Sequence, residues 1–177
     1  MNRRIAAAGL VASLFVGSAV NAGPVRIVAV GASNTSGWLI PESRAYPALL
    51  EKMLKAKGVD AHVTNAGVPF DTTAGMLARI DTAVPNGTNI VILQPGGNDL
   101  RFLGSKEQRT ANIQEMAQRL RKRSMHVIVY DKEIPWRYVF DGIHLTLAGH
   151  AMIANALLPR VLLVVPKQGS PGERTLH

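Results

Sequence analysis

Cysteine is absent from the chain, which excludes a disulfide framework, a thiol nucleophile and any cysteine-ligated zinc or iron–sulfur centre. Aromatic residues are scarce at 5%, too few to interleave with basic residues as base-stacking platforms. The formal charge of +8, from 20 Lys and Arg against 12 Asp and Glu, is therefore a weak argument for nucleic-acid binding. Arg119, Arg121, Lys122 and Arg123 cluster at the end of one helical pattern, with Arg101, Lys106 and Arg109 upstream. They read as a solvated face whose cations suit a helix C-terminus. No nucleic-acid partner is expected, and the charge leaves room for transient contact with anionic lipid surfaces. With 47% apolar residues in 177, the chain can bury the core of one ordinary domain.

Long apolar runs are missing too, with one exception. Asn2-Arg3-Arg4 is followed by a charge-free stretch from Ile5 to Val20, then small residues through Ala22 and a break at Gly23-Pro24. Basic start, apolar middle and small-residue exit match a secretory signal peptide, and the run is short for a spanning helix. We therefore expect residues 1–22 to be removed, residues 23–165 to form the domain, 166–177 to be a loose tail, and the mature protein to be periplasmic or secreted. Loss of Arg3 and Arg4 lowers the charge to +6.

Short β-branched runs at Val25–Val30, Asp60–Asn65, Asn89–Gln94 and His126–Tyr130 read as strands. Helical stripes lie between them. Pro47 suits a first turn, Leu49, Leu50, Met53 and Leu54 share a face, and Gly58 ends it. Further stripes are Met76, Leu77 and Ile80 within Thr72–Val84; Ile113, Met116, Ala117 and Leu120 within Ser105–Arg123; and Met152, Ile153, Ala156 and Leu157 within Thr146–Leu158. Alternating strands and helices predict an α/β domain around a mainly parallel sheet. Its ligand site should lie beyond the carboxyl ends of the strands.

Four segments at those ends carry chemistry. Gly31-Ala32-Ser33 allows a sharp strand-to-helix turn that lifts a hydroxyl above the sheet, although Gly-x-Ser also serves as a plain turn. Gly96-Gly97-Asn98-Asp99 brings an amide donor that suits a developing oxyanion, beside glycines that equally suit a turn. Asp141-Gly142-Ile143-His144 places a carboxylate three residues before an imidazole, close enough on a tight turn to orient it. Asp141, His144 and His150 would be a thin ligand set for a metal. Asn65-Ala66-Gly67 through Asp71-Thr72-Thr73 offers backbone donors as well as an ordinary helix cap.

In their order and common location these segments resemble the SGNH (GDSL) hydrolase family across nearly the whole mature chain. The likeness is greatest to its small bacterial periplasmic arylesterases, lysophospholipases and acyl-CoA thioesterases. The Asn segment and Asp141-Gly142-Ile143-His144, with Ala148-Gly149-His150 behind it, are the most specific. The resemblance implies a flavodoxin-like three-layer α/β/α sandwich with a short sheet of four or five strands. It also implies Ser33 as nucleophile, His144 as base and Asp141 as its orienter. The oxyanion hole would come from the Ser33 N–H, a second-segment N–H and Asn98. The expected reaction is hydrolysis of a small acyl ester or thioester, needing no cofactor or metal. A silent binding protein for acyl or carbohydrate-ester ligands on the same fold is the alternative.

Three departures stand out. The family's Gly-Asp-Ser has Ala32 in place of Asp. Phe70 stands where the family places its oxyanion glycine, in a backbone region costly for a large side chain, with Gly67 as a substitute donor should the loop shift. Only 43 residues separate Asn98 from Asp141, so a strand–helix pair is expected to be missing and the substrate rim open. Trp38 and Phe70 are candidates for lining the acyl pocket, and Trp136 and Tyr138 for its far wall. The sequence assigns no oligomeric state.

Overall fold

The computed structural model describes residues 23–102 and 104–165; the expected leader and tail lie outside the described residues. Four strands, β1 (Val25–Gly31), β2 (Ala61–Gly67), β3 (Ile90–Gln94) and β4 (His126–Val129), form one sheet in the order β2-β1-β3-β4. All three pairings are parallel. Every residue of β3 is buried, as is all of β1 except Arg26, which is why both read as unbroken apolar runs rather than alternating ones.

Helices cover both faces. Val25, Ile27 and Ala29 of β1 pack with α2 (Tyr46–Ala56) and α6 (Leu147–Leu162), whereas Val28 and Val30 pack with α3 (Thr73–Ala83) and α5 (Lys106–Lys122). This is the expected three-layer sandwich. Its helices start where their caps dictate: the hydroxyls of Thr72, Ser105 and Thr146 accept from the backbone N–H three residues on, filling donors that a first turn leaves open. Two one-turn helices were not expected, α1 (Ser33–Ser36) and α4 (Asn98–Arg101). Nor was the continuation of α6 through Pro159. Leu157 and Val161, one turn apart, are both fully buried; their packing carries the helix past the hydrogen bond that proline cannot donate.

The chain leaves β1 toward β2 on one side and later builds β3 and β4 on the other. The direction of winding therefore reverses between β1 and β3, and a crevice opens beyond their carboxyl ends. Ser33 follows β1 and Asn98 follows β3, so the two flank that crevice.

Beneath it lies a buried polar chain. Thr35 Oγ1 donates to Gln94 Oε1 at 2.8 Å, which leaves the Tyr46 hydroxyl to donate to Thr35 Oγ1 at 3.2 Å. The Tyr46 N–H donates to His150 Nδ1 at 3.3 Å. His150 is only 1% exposed, and burial pushes its pKa from 6.5 down to about 4. The unfolded chain thus takes up a proton at a pH where the folded chain does not. Stability is complete above about pH 6.5 and is lost as the pH falls toward 4, by up to about 3 kcal/mol. Urea unfolding between pH 7 and 4 should show this loss, and His150→Gln should flatten that part of the curve even if it lowers stability throughout.

Candidate active site

Ser33 heads α1, directly after a strand that ends in Gly31. A side chain at Gly67, paired with Gly31 in the sheet, would place its Cβ 2.2 Å from the Ser36 N. Glycine there lets the end of β2 press against α1. The elbow is braced from outside as well. The Arg79 guanidinium donates to Gly31 O at 3.2 Å and to Asp71 Oδ2 at 2.8 Å. Ala32, at the position of the missing Asp, is buried and its carbonyl accepts from the N–H groups of Thr35 and Ser36. The turn therefore keeps its shape through backbone, Thr35 and Arg79 contacts rather than through a carboxylate.

Asp141 and His144 sit on a tight hairpin. Val139 and Leu145 pair antiparallel, and Phe140 N donates to His144 O at 3.0 Å. Gly142 takes φ +79° at the turn, a conformation open to glycine at little cost. Asp141 Oδ1 accepts from the Ile143 and His144 N–H groups at 2.9 and 2.7 Å, and Oδ2 lies 2.6 Å from His144 Nδ1. The His144 backbone N–H, then its side chain, then the Ile143 N–H hold the Asp141 carboxyl down at about 2. The carboxylate is an acceptor, so Nδ1 carries the proton and Nε2 is left with its lone pair. The Phe140 ring stacks on the imidazole with centroids 5.9 Å apart.

The residue after Ser33 fixes this hairpin in place. Asn34 Nδ2 donates to Ile143 O at 3.1 Å, and Asn34 Oδ1 accepts from Leu145 N at 3.0 Å. One amide thus grips the backbone on both sides of His144, pairing as a strand neighbour would. Among the described residues Ser33 Oγ makes no hydrogen bond, to His144 or to any other group.

The donor side is equally organised. Asn98 heads α4, and its Nδ2 donates to Asp71 O at 2.8 Å, which commits one of its two amide protons. Asp99 fastens the same segment to α3, accepting from Thr73 N with both oxygens and from Thr73 Oγ1, to which Asn112 also donates. Phe70 has φ +63°, in the left-handed region that favours glycine, at a cost of about 1–3 kcal/mol. No hydrogen bond among the described residues engages the N–H of Ser33 or of Phe70. The Gly67 N–H, by contrast, is taken by Asn65 Oδ1 at 3.0 Å, which removes it as a substitute donor.

Trp38 and Phe70 meet edge to face with ring centroids 5.5 Å apart, and Phe70 is 59% exposed. A cavity of about 420 Å³ opens beside Ser33, lined by Asn98, Arg101, Arg109, Lys132, Gly142 and Ile143 among others. Trp38 and Phe70 do not line it; its walls come from Ala32, Ser33 and Asn34 after β1 and from the segments after β3 and β4. Trp136 and Tyr138 stand outside it too; Ile134 and Val139 supply the apolar wall. Sequence reasoning missed Asn34, Arg79, Gln94 and Arg109, whose partners lie far along the chain. Among the described residues no three His, Asp or Glu side chains are grouped to hold a metal ion, and His150 is spent on Tyr46. No helix among the described residues is long and apolar enough to cross a membrane.

This fold and these segments are those of a known class of hydrolases. The sequence model of the GDSL-like lipase/acylhydrolase family matches residues 29–138, and the chain belongs to that family. The match stops short of Asp141 and His144. Esterase TesA of Pseudomonas aeruginosa is 32% identical over 114 residues, 63% of this chain but only 56% of that protein. An arylesterase of Vibrio mimicus is 27% identical over 144 residues, 77% of this chain and 72% of that one. A crystal structure of TesA superposes with a TM-score of 0.72 at 23% identity, over 79% of this chain and 99% of that chain, which shows the shared fold.

The Asn34 clamp makes a direct prediction. Asn34→Leu should speed hydrogen exchange at the Leu145 amide and lower unfolding stability by about 1–3 kcal/mol. Asn34→Asp, which keeps the acceptor, should preserve most of that protection.

Proposed function

We propose that the chain is a serine ester hydrolase that works through an acyl-enzyme, with Ser33 as nucleophile, His144 as base and Asp141 as its orienter. The observation that carries this reading is the Asn34 clamp. A side chain adjacent to Ser33 grips the backbone on both sides of His144 and so couples the positions of nucleophile and base. The names of the two curated relatives, an esterase and an arylesterase, agree with it.

In this mechanism His144 Nε2 takes the Ser33 proton as Oγ bonds to the ester carbonyl carbon. The carbonyl π electrons move onto oxygen, where the N–H groups of Ser33 and Phe70 and the second Asn98 amide proton receive the charge. Collapse of the tetrahedral intermediate breaks the bond to the alcohol, which leaves with the proton from His144. Water, deprotonated by the same nitrogen, then attacks the acyl-enzyme, releasing the acid and restoring the Ser33 hydroxyl. Asp141, charged down to about pH 2, keeps Nδ1 protonated and offsets the imidazolium. No step calls for a cofactor or metal.

Phe70 is the residue that most invites the silent-binder reading, and its geometry weakens that reading. The side chain is 59% exposed and leans on Trp38, while the backbone takes a positive φ and leaves its N–H unengaged among the described residues. Residues 1–22 and export enter this reading only as the sequence pattern suggests them. Ester and thioester substrates both fit the mechanism. Ser33→Ala should abolish hydrolysis of p-nitrophenyl acetate by the folded protein, and Asn98→Ala should reduce kcat about 10²–10³-fold. Turnover by Ser33→Ala equal to that of the parent would refute the assignment.

A further inference from the structure

The cavity beside Ser33 is bounded by Gly142 and Ile143 of the hairpin that carries His144. In ester hydrolysis the general acid has to reach the oxygen of the departing alcohol. The half of the substrate that lies toward this hairpin is therefore the alcohol, and the cavity is the space open to it. The Trp38–Phe70 pair, outside the cavity, is left to the acyl side.

The charges around the cavity are not balanced. Arg101, Arg109 and Lys132 line it together with Asp131 and Glu133. Arg109 and Asp131 neutralise each other through two hydrogen bonds, from Nη1 at 2.9 Å and from Nη2 at 2.5 Å. The same guanidinium donates twice to Gly96 O. This pair is thereby built into the wall, joining α5 to the segments after β3 and β4. Asp141 is spent on its own hairpin. What remains for a ligand is Arg101 and Lys132, neither of which makes an ion pair or hydrogen bond with a described residue, against the single carboxylate of Glu133. Both cations are exposed, and the chain is net positive with or without Arg3 and Arg4, which favours the approach of anions.

We propose that this cavity is an alcohol-side subsite that selects esters whose leaving group bears a negative charge, with Arg101 and Lys132 as the residues that read it. The proposal rests on the ester-hydrolase reading and adds the substrate class. Ordinary apolar esters are poor probes of such a site, because their leaving groups give the two cations nothing to bind.

The test compares 4-acetoxybenzoate with its methyl ester, which share the acetyl group and differ in one charge on the departing phenol. Each kcat/KM is divided by the rate constant for hydroxide hydrolysis, which removes the difference in intrinsic reactivity. The purified protein should favour the carboxylate about three- to tenfold in this ratio, and the preference should shrink in 0.5 M NaCl. Arg101→Gln with Lys132→Gln should bring the ratio near one, and Glu133→Gln should raise it. A ratio of one or less in the parent, or one unmoved by the double substitution, overturns the proposal while leaving the hydrolase reading intact. Hydrolysis of neither ester overturns both.

Discussion

Two hydrogen bonds from the amide of Asn34 tie together parts of the chain 109 and 111 residues apart. Asp141 can orient His144 by itself, because both sit on one turn. Nothing in that turn, however, fixes where the imidazole stands relative to Ser33. Asn34 supplies the link, and it does so from the position next to Ser33, so that any shift of the elbow carries the hairpin with it. The other side of the crevice follows the same logic. Asn98 is tethered to Asp71 O, Asp71 to Arg79 and Arg79 to Gly31 O, a chain of contacts that returns to the strand bearing Ser33.

These contacts hold the elbow without a carboxylate at position 32. Ala32 cannot brace the elbow, and Arg79, Thr35 and backbone contacts brace it instead. Phe70 bears the cost of a left-handed backbone while its side chain stays largely exposed. Among the described residues the short interval between Asn98 and Asp141 holds one long helix, α5, and one strand, β4, beside the short turns Asn98–Arg101 and Trp136–Tyr138, and the space beside Ser33 is walled by charged side chains together with Ile134 and Val139.

The strands and the four long helices were legible because burial writes itself into local pattern: β1 and β3 as continuous apolar runs, the helices as stripes with Thr72, Ser105 and Thr146 at their starts. The one-turn helices α1 and α4 carry no periodicity to read. The stretch of α6 beyond Leu158 was not read, because the burial of Val161 that carries the helix past Pro159 is tertiary. At the site, Ser33, Asn98, Asp141 and His144 stood out because their spacing and their places after strands are visible in one dimension. Asn34 and Gln94 did not, since their partners lie 59 to 111 residues away, and Arg79 and Arg109 did not, since each bridges two segments that meet only in the fold. The cavity itself is not legible in one dimension: it is walled by Ser33, Asn98, Arg101, Arg109, Lys132 and Ile143, drawn from segments that meet only in the fold.

The central claim is that the fold activates one hydroxyl, that of Ser33. Incubation with diethyl p-nitrophenyl phosphate, followed by intact-mass measurement and peptide mapping, tests it without reference to any natural substrate. The account predicts one diethylphosphoryl group per chain, located on Ser33 and slowed severely by Asp141→Asn, which leaves the imidazole without its charged partner. A chain that stays unmodified, or that is modified on another residue while Ser33 remains free, would contradict it.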